Sequence, residues 1–114
     1  MAVKIQLARG TDEQVDDVRV TRNKDGSISV ATFSFFEPNC MVQGEAQGFQ
    51  EITGLFLIDD EGEITCRNVS AKYANGSLVR VEAVHKMEGA AEWERFLRFM
   101  ERYAESNGMD FNRA

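Results

Sequence analysis

Histidine, tryptophan and proline each occur once in these 114 residues, and cysteine twice. Those scarcities exclude much chemistry. A structural zinc sphere takes four ligands, mostly Cys and His, and His85 with Cys40 and Cys66 cannot supply one. The two cysteines stand 26 positions apart without a CxxC pairing, so two unlinked thiols in a reducing compartment are expected. None of the serines lies in a GxSxG context, and no nucleophile motif accompanies His85. His85 shares the phase of Val81, Ala83 and Met87, and a packed or rim histidine is the expectation. The glycines form neither GxGxxG nor GxxxxGK[ST]. No catalytic residue, cofactor site or metal site is therefore expected.

Positive charge is also scarce. Thirteen basic residues face nineteen acidic ones, a net charge of −6. That balance argues against nucleic acid, whose phosphates need a basic surface, and against direct adsorption to anionic lipid. A basic partner suits it better, such as the Lys- and Arg-enriched cytoplasmic loops of membrane proteins. No apolar run approaches the ~20 residues that span a bilayer. The opening Met1-Ala2-Val3-Lys4 shows no secretory or transit pattern, so the chain is expected to act where it is made, or as a mature form.

What is present reads as one domain, residues 1–114, with 43% hydrophobic and 28% charged residues and enough length for one core. Val3, Ile5 and Leu7 alternate as a strand, Arg9 to Glu13 reads as a loop, and Val18 and Val20 mark a second strand. Asn23-Lys24-Asp25-Gly26 signals a hairpin, with Ile28 to Phe36 returning from it. Glu37 to Gln50 is the longest expected loop. Ile52 to Ile58 is apolar in both phases, as a strand covered on two faces should be.

Asp59-Asp60-Glu61-Gly62 reads as a solvated acidic turn rather than a Ca²⁺ loop, since the helix–loop–helix frame of that loop is missing. Glu63 to Tyr73 returns from it, and its apolar phase slips between Cys66 and Val69, which a β-bulge would explain. Asn75-Gly76 is the strongest hairpin signal. The expected fold is α+β: five or six antiparallel strands in a sheet or sandwich, then one amphipathic helix from about Gly89 to Ser106.

On that helix Trp93, Phe96, Leu97, Met100, Tyr103 and Ala104 paint an apolar stripe. Phe99 falls off it, among Glu92, Arg95, Arg98 and Arg102, and an aromatic displayed among charges is a candidate binding anchor. Strand residues Arg19, Arg67 and Arg80 lie on outward phases suited to acidic or carboxyl-terminal peptides, with a merely solvated strand face as the plainer alternative. A sheet edge can accept a foreign strand by β-augmentation. Arg19, Arg22, Arg67, Arg80, Phe99 and Arg102 are thus the candidate partner-binding residues. Two alternatives stay open: a small-ligand carrier with an apolar cavity around His85, and a self-associating β-module forming a weak homodimer.

Two stretches resemble a known family. They are Glu51-Ile52-Thr53-Gly54-Leu55-Phe56-Leu57-Ile58-Asp59-Asp60-Glu61-Gly62-Glu63-Ile64, and Glu92-Trp93 through Arg98-Phe99-Met100-Glu101-Arg102-Tyr103-Ala104-Glu105 to Asn107-Gly108. With Ile5-Gln6, Arg9-Gly10, Val18 to Arg22, Lys72, Asn75-Gly76 and Glu82-Ala83, they follow the order of the Psb28 family over nearly the whole chain. That family comprises small extrinsic photosystem II assembly factors of cyanobacteria and plastids. The resemblance implies a non-catalytic protein that binds assembly intermediates transiently on the cytoplasmic or stromal face of the thylakoid. Its implied partners are the larger inner chlorophyll-binding antenna protein and a reaction-centre loop near the secondary quinone site, with membrane contact only through them. Leu55-Phe56 stands where the family usually has Met-Tyr, and Leu97 where Met is usual. Asn39 to Gln50 matches poorly and Met109-Asp110-Phe111 varies the tail. These departures suggest the second paralogue or a distant lineage.

Overall fold

The computed structural model describes residues 3–36, 38 and 52–108. Eight strands precede one helix: β1 (Lys4–Ala8), β2 (Thr11–Glu13), β3 (Asp17–Arg22), β4 (Ile28–Phe35), β5 (Leu55–Asp59), β6 (Gly62–Cys66), β7 (Val69–Ala74), β8 (Ser77–Glu88) and α1 (Ala90–Ser106). They form two antiparallel four-stranded sheets, ordered β2-β1-β5-β6 and β3-β4-β8-β7. The α+β, sandwich-like expectation holds, with more strands than the five or six expected.

Local chemistry sets the turns. Asn75 and Gly76 both have positive φ, 54° and 80°, the pairing that a two-residue type I′ hairpin requires. At the β3–β4 turn the Asn23 and Asp25 side chains accept the backbone N–H groups of Ile28 and Ser27. Helix α1 starts after Gly89, and the Glu92 carboxylate accepts the Glu88 N–H at 3.1 Å, filling a donor that would otherwise be orphaned. It ends where Gly108 takes a left-handed φ of 66°.

Three expectations change. Thr11–Glu13, read as loop, pairs with β1 as a short edge strand; it is too brief to show alternation. Ile52 to Gly54 precedes β5 rather than belonging to it. The phase slip between Cys66 and Val69 is not a bulge but a change of sheet: β6 pairs with β5, and β7 pairs with β8. Inversion of the buried face is what a strand must do on leaving one layer for the other. The loop expected from Glu37 to Gln50 lies, apart from Pro38, outside the described residues.

The core lies between the sheets. Ile5, Leu7, Leu55 and Leu57 face Ala31, Phe33, Phe35, Val81, Ala83 and Met87, and Phe96, Leu97, Phe99, Met100 and Tyr103 of α1 join the same cluster. Phe33 and Phe96 meet edge-to-face at 6.1 Å, a favoured aromatic geometry. Helix α1 contacts β5 of one sheet and β8 of the other. It therefore buries a wider arc than a helix lying on a single layer.

Candidate partner-binding surfaces

The six residues singled out from the sequence do not share one surface. Arg19 (β3) and Arg80 (β8) line a shallow groove of about 190 Å³ on the outer face of the second sheet, with Asp17, Thr32, Ser34, Phe36 and Glu82. Arg80 Nε lies 2.9 Å from a Glu82 carboxylate oxygen, although that N–H finds no aligned acceptor. Arg22 turns instead toward the helix. Its guanidinium lies 4.4 Å over the Trp93 ring, and its Nε donates to Ser29 Oγ at 3.1 Å.

Arg67, expected on a strand, lies in the connection between β6 and β7, where the chain passes from one sheet to the other. It donates to the Thr53 carbonyl at 2.9 Å and lies 5.8 Å from the Phe56 ring, whose nearer cation is Arg9 at 4.0 Å. Phe56 is 1% exposed, so these guanidiniums complete the shielding of an aromatic on the outer face of its sheet. Arg9 also pairs with Glu63 through both its terminal nitrogens. That pairing holds the Glu63 carboxyl below its usual range.

Phe99 is not displayed among the charges as expected. It is fully buried and stacks on Tyr103 at 6.0 Å. It lies three residues after Phe96 and four before Tyr103, which places it at the margin of the apolar stripe. Because α1 packs against two sheets, that margin is covered. Phe99 is core, not a partner contact.

Arg102 belongs to an ionic cluster that sequence reasoning missed. The Asp59 side chain has no solvent exposure and receives Arg95 Nη2 at 2.6 Å, Arg95 Nη1 at 2.9 Å and Arg102 Nη1 at 2.9 Å. Glu61 accepts Arg98 Nε at 2.8 Å, Arg98 Nη2 at 3.0 Å and Arg102 Nη1 at 2.6 Å. The Glu61 N–H closes the cluster by donating to Asp59 Oδ1 at 3.0 Å.

The charges follow the geometry. Burial, the largest single influence on Asp59, pushes its carboxyl up, but the bonds from Arg95 and Arg102 outweigh it and the net shift is downward. Arg98 first, then Arg102, draws Glu61 down to about 2. The acidic turn is thus a clamp on α1, not the solvated hairpin expected. The only hint in the sequence was Arg95, Arg98 and Arg102 at helical spacing, which puts three guanidiniums on one flank.

His85 sits against Phe96, ring centres 6.2 Å apart, and burial lowers its pKa from the ordinary value. It borders an open depression of about 360 Å³ with Glu63, Ile64, Ala91, Glu92 and Arg95. An enclosed cavity, which a small-ligand carrier calls for, is not what surrounds it. No group of three or more His, Cys, Asp or Glu able to hold a metal occurs among the described residues.

Both borders of the second sheet end in strands with a single neighbour, β3 and β7. On β3 the Asn23 N–H donates to Ile28, so alternation turns the amides of Val18 and Val20 away from β4. On β7, Asn68 accepts from Val84, which turns the Ala71 amide outward. Tyr73, Val79 and Phe36 are exposed at 60%, 45% and 49%. No described helix is long and apolar enough to cross a membrane.

Comparison with known proteins covers nearly the whole sequence. The family model described as Psb28 protein matches residues 5–111. A photosystem II reaction center Psb28 protein of Synechococcus elongatus is 51% identical over 115 residues, covering 100% of both chains. That of Trichormus variabilis is 49% identical, covering 97% of this chain and 98% of its own. The diatom Phaeodactylum tricornutum has one that is 47% identical, covering 100% and 99%. On a full-length match of this kind, the chain belongs to the Psb28 family.

Proposed function

We propose that this chain is a non-catalytic assembly and repair factor that binds photosystem II intermediates transiently, from the cytoplasmic or stromal side of the thylakoid. Its partners in this reading are the larger inner antenna protein and an acceptor-side loop of the reaction centre. The supporting observation is full-length likeness to proteins named for the photosystem II reaction centre. The fold supplies a means of attachment. Strands β3 and β7 each end a sheet, and a partner segment can extend either ladder through main-chain hydrogen bonds.

Proline substitution tests this at two outward amides, one at Val20, which packs against the margin of the core, and one at exposed Ala71. Val20→Pro and Ala71→Pro each remove one outward amide while leaving the ladder to β4 or β8 intact. Tagged wild-type protein should co-isolate photosystem II subunits from thylakoids, and one of the two variants should lose them while keeping its melting temperature. Wild-type protein that recovers no photosystem II subunit, or recovers only further copies of itself, would overturn the reading.

A further inference from the structure

We propose that the Asn75-Gly76 turn between β7 and β8 is a self-modification site, where the asparagine loses ammonia and becomes an isoaspartyl link. The product loosens border strand β7, and its freed carboxylate is a substrate for methyl transfer from S-adenosylmethionine. This goes beyond the proposed function and does not rest on it.

The reaction needs an asparagine followed by a residue without a side chain, so that the next backbone nitrogen can reach the amide carbon. Two such pairs occur, Asn75-Gly76 and Asn107-Gly108. The structure separates them. At the helix end Asn107 Nδ2 donates to the Tyr103 carbonyl at 2.8 Å, and the Gly108 N–H donates to the Glu105 carbonyl at 3.5 Å. Both reacting groups there are held. At the hairpin, neither the Asn75 side-chain amide nor the Gly76 N–H has a hydrogen-bond partner among the described residues. Nothing lies within 4 Å of where a Gly76 Cβ would stand, so no neighbour obstructs ring closure. The acidic counterpart Asp25-Gly26 is closed as well. Its carboxylate accepts from the Ser27 N–H and Oγ, and the Gly26 N–H donates to Asn23.

The step needs only water. The Gly76 nitrogen attacks the Asn75 side-chain carbonyl carbon; that N–C bond forms, the C–Nδ2 bond breaks, and the Gly76 amide proton leaves with ammonia. One water then opens the cyclic imide. Opening at the side-chain carbonyl gives aspartate, and opening at the main-chain carbonyl gives isoaspartate.

Attack requires the turn to open, and little burial resists that opening. Strand β7 is exposed from Ser70 to Ala74, and its register slips between Lys72 and Tyr73. Isoaspartate places the side-chain methylene in the main chain. A two-residue turn with both residues at positive φ cannot take the extra atom and keep Ala74 opposite Ser77.

The test ages the full chain in mildly alkaline buffer, folded and in urea, and follows both Asn-Gly peptides by mass spectrometry. In the folded chain Asn75 should convert at least about tenfold faster than Asn107, and in urea the two rates should converge. A purified isoaspartyl methyltransferase with labelled S-adenosylmethionine should then label residue 75. Amide exchange in the aged protein should accelerate from Ser70 to Ala74 but not in β3. N75D keeps an Asp-Gly turn and has no amide to lose, so it should begin with wild-type exchange and gain label far more slowly. Asn107 converting as fast as Asn75 in the folded chain, converted protein that takes up no methyl group, or unchanged β7 exchange after conversion would each overturn the inference.

Discussion

Arg95 grips Asp59 with both terminal nitrogens, at 2.6 and 2.9 Å, and the aspartate side chain is closed to solvent. The pair joins the β5–β6 turn to the middle of α1. Removing the charge while keeping the shape leaves two guanidiniums short of a buried acceptor. Asp59→Asn should therefore cost about 3 kcal/mol in urea unfolding. The loss in the double variant Asp59→Asn with Arg95→Gln should be less than the sum of the two singles.

Phe99 and Phe36 should separate stability from binding. Phe99 is fully buried, so Phe99→Ala should destabilise by about 3–5 kcal/mol. Phe36→Ala, at a half-exposed site, should shift stability by less than about 0.5 kcal/mol, yet weaken recovery of photosystem II subunits. Chemical denaturation and co-isolation of the same two variants check both halves.

Acid should unfold the protein in two stages. The folded pKa of His85 lies below its ordinary 6.5 because burial disfavours the cation, so the unfolded chain binds that proton more readily. Stability should fall as pH drops through 6.5 toward the folded value. Glu61 is drawn from 4.5 to about 2, and Asp59 and Glu63 are also lowered. Their contribution is complete above about pH 4.5 and vanishes as pH approaches 2. His85→Gln should flatten the upper stage and Glu61→Gln should shrink the lower, in melts taken from pH 3 to pH 8.

Gly54 allows no side chain. A Cβ there would stand 3.0 Å from the Cys66 carbonyl oxygen, a backbone atom of paired strand β6. Gly54→Ala should lower stability by about 1–3 kcal/mol through overpacking, measurable as a reduced urea midpoint. Gly76→Ala would act by another route, strain at a φ of 80°, and should not perturb β6 amide exchange.

Elements whose signals are local could be read from the sequence. The hairpin at Asn75-Gly76, the two-phase strand at Leu55–Ile58 and the helix ending near Gly108 each depend on neighbouring residues alone. What escaped depends on partners far away in the chain. The Cys66–Val69 slip looks alike whether a strand bulges or changes sheet, because only the identity of its neighbour differs. Phe99 read as exposed because periodicity assumes one covering layer, and α1 has two. Phase gives the side of a strand but not the sheet, nor whether a residue such as Arg67 lies in a strand at all. Arg19 and Arg80 therefore came together while Arg67 went to Phe56, Arg22 to Trp93 and Arg102 to the acidic turn.

Trp93 is the chain's one indole, and it lies 4.4 Å beneath a guanidinium rooted in border strand β3. A strand added along that border would nudge Arg22 and change the light the indole emits. Attachment could then be followed in real time on unlabelled protein, with Arg22→Lys as the dimmed control.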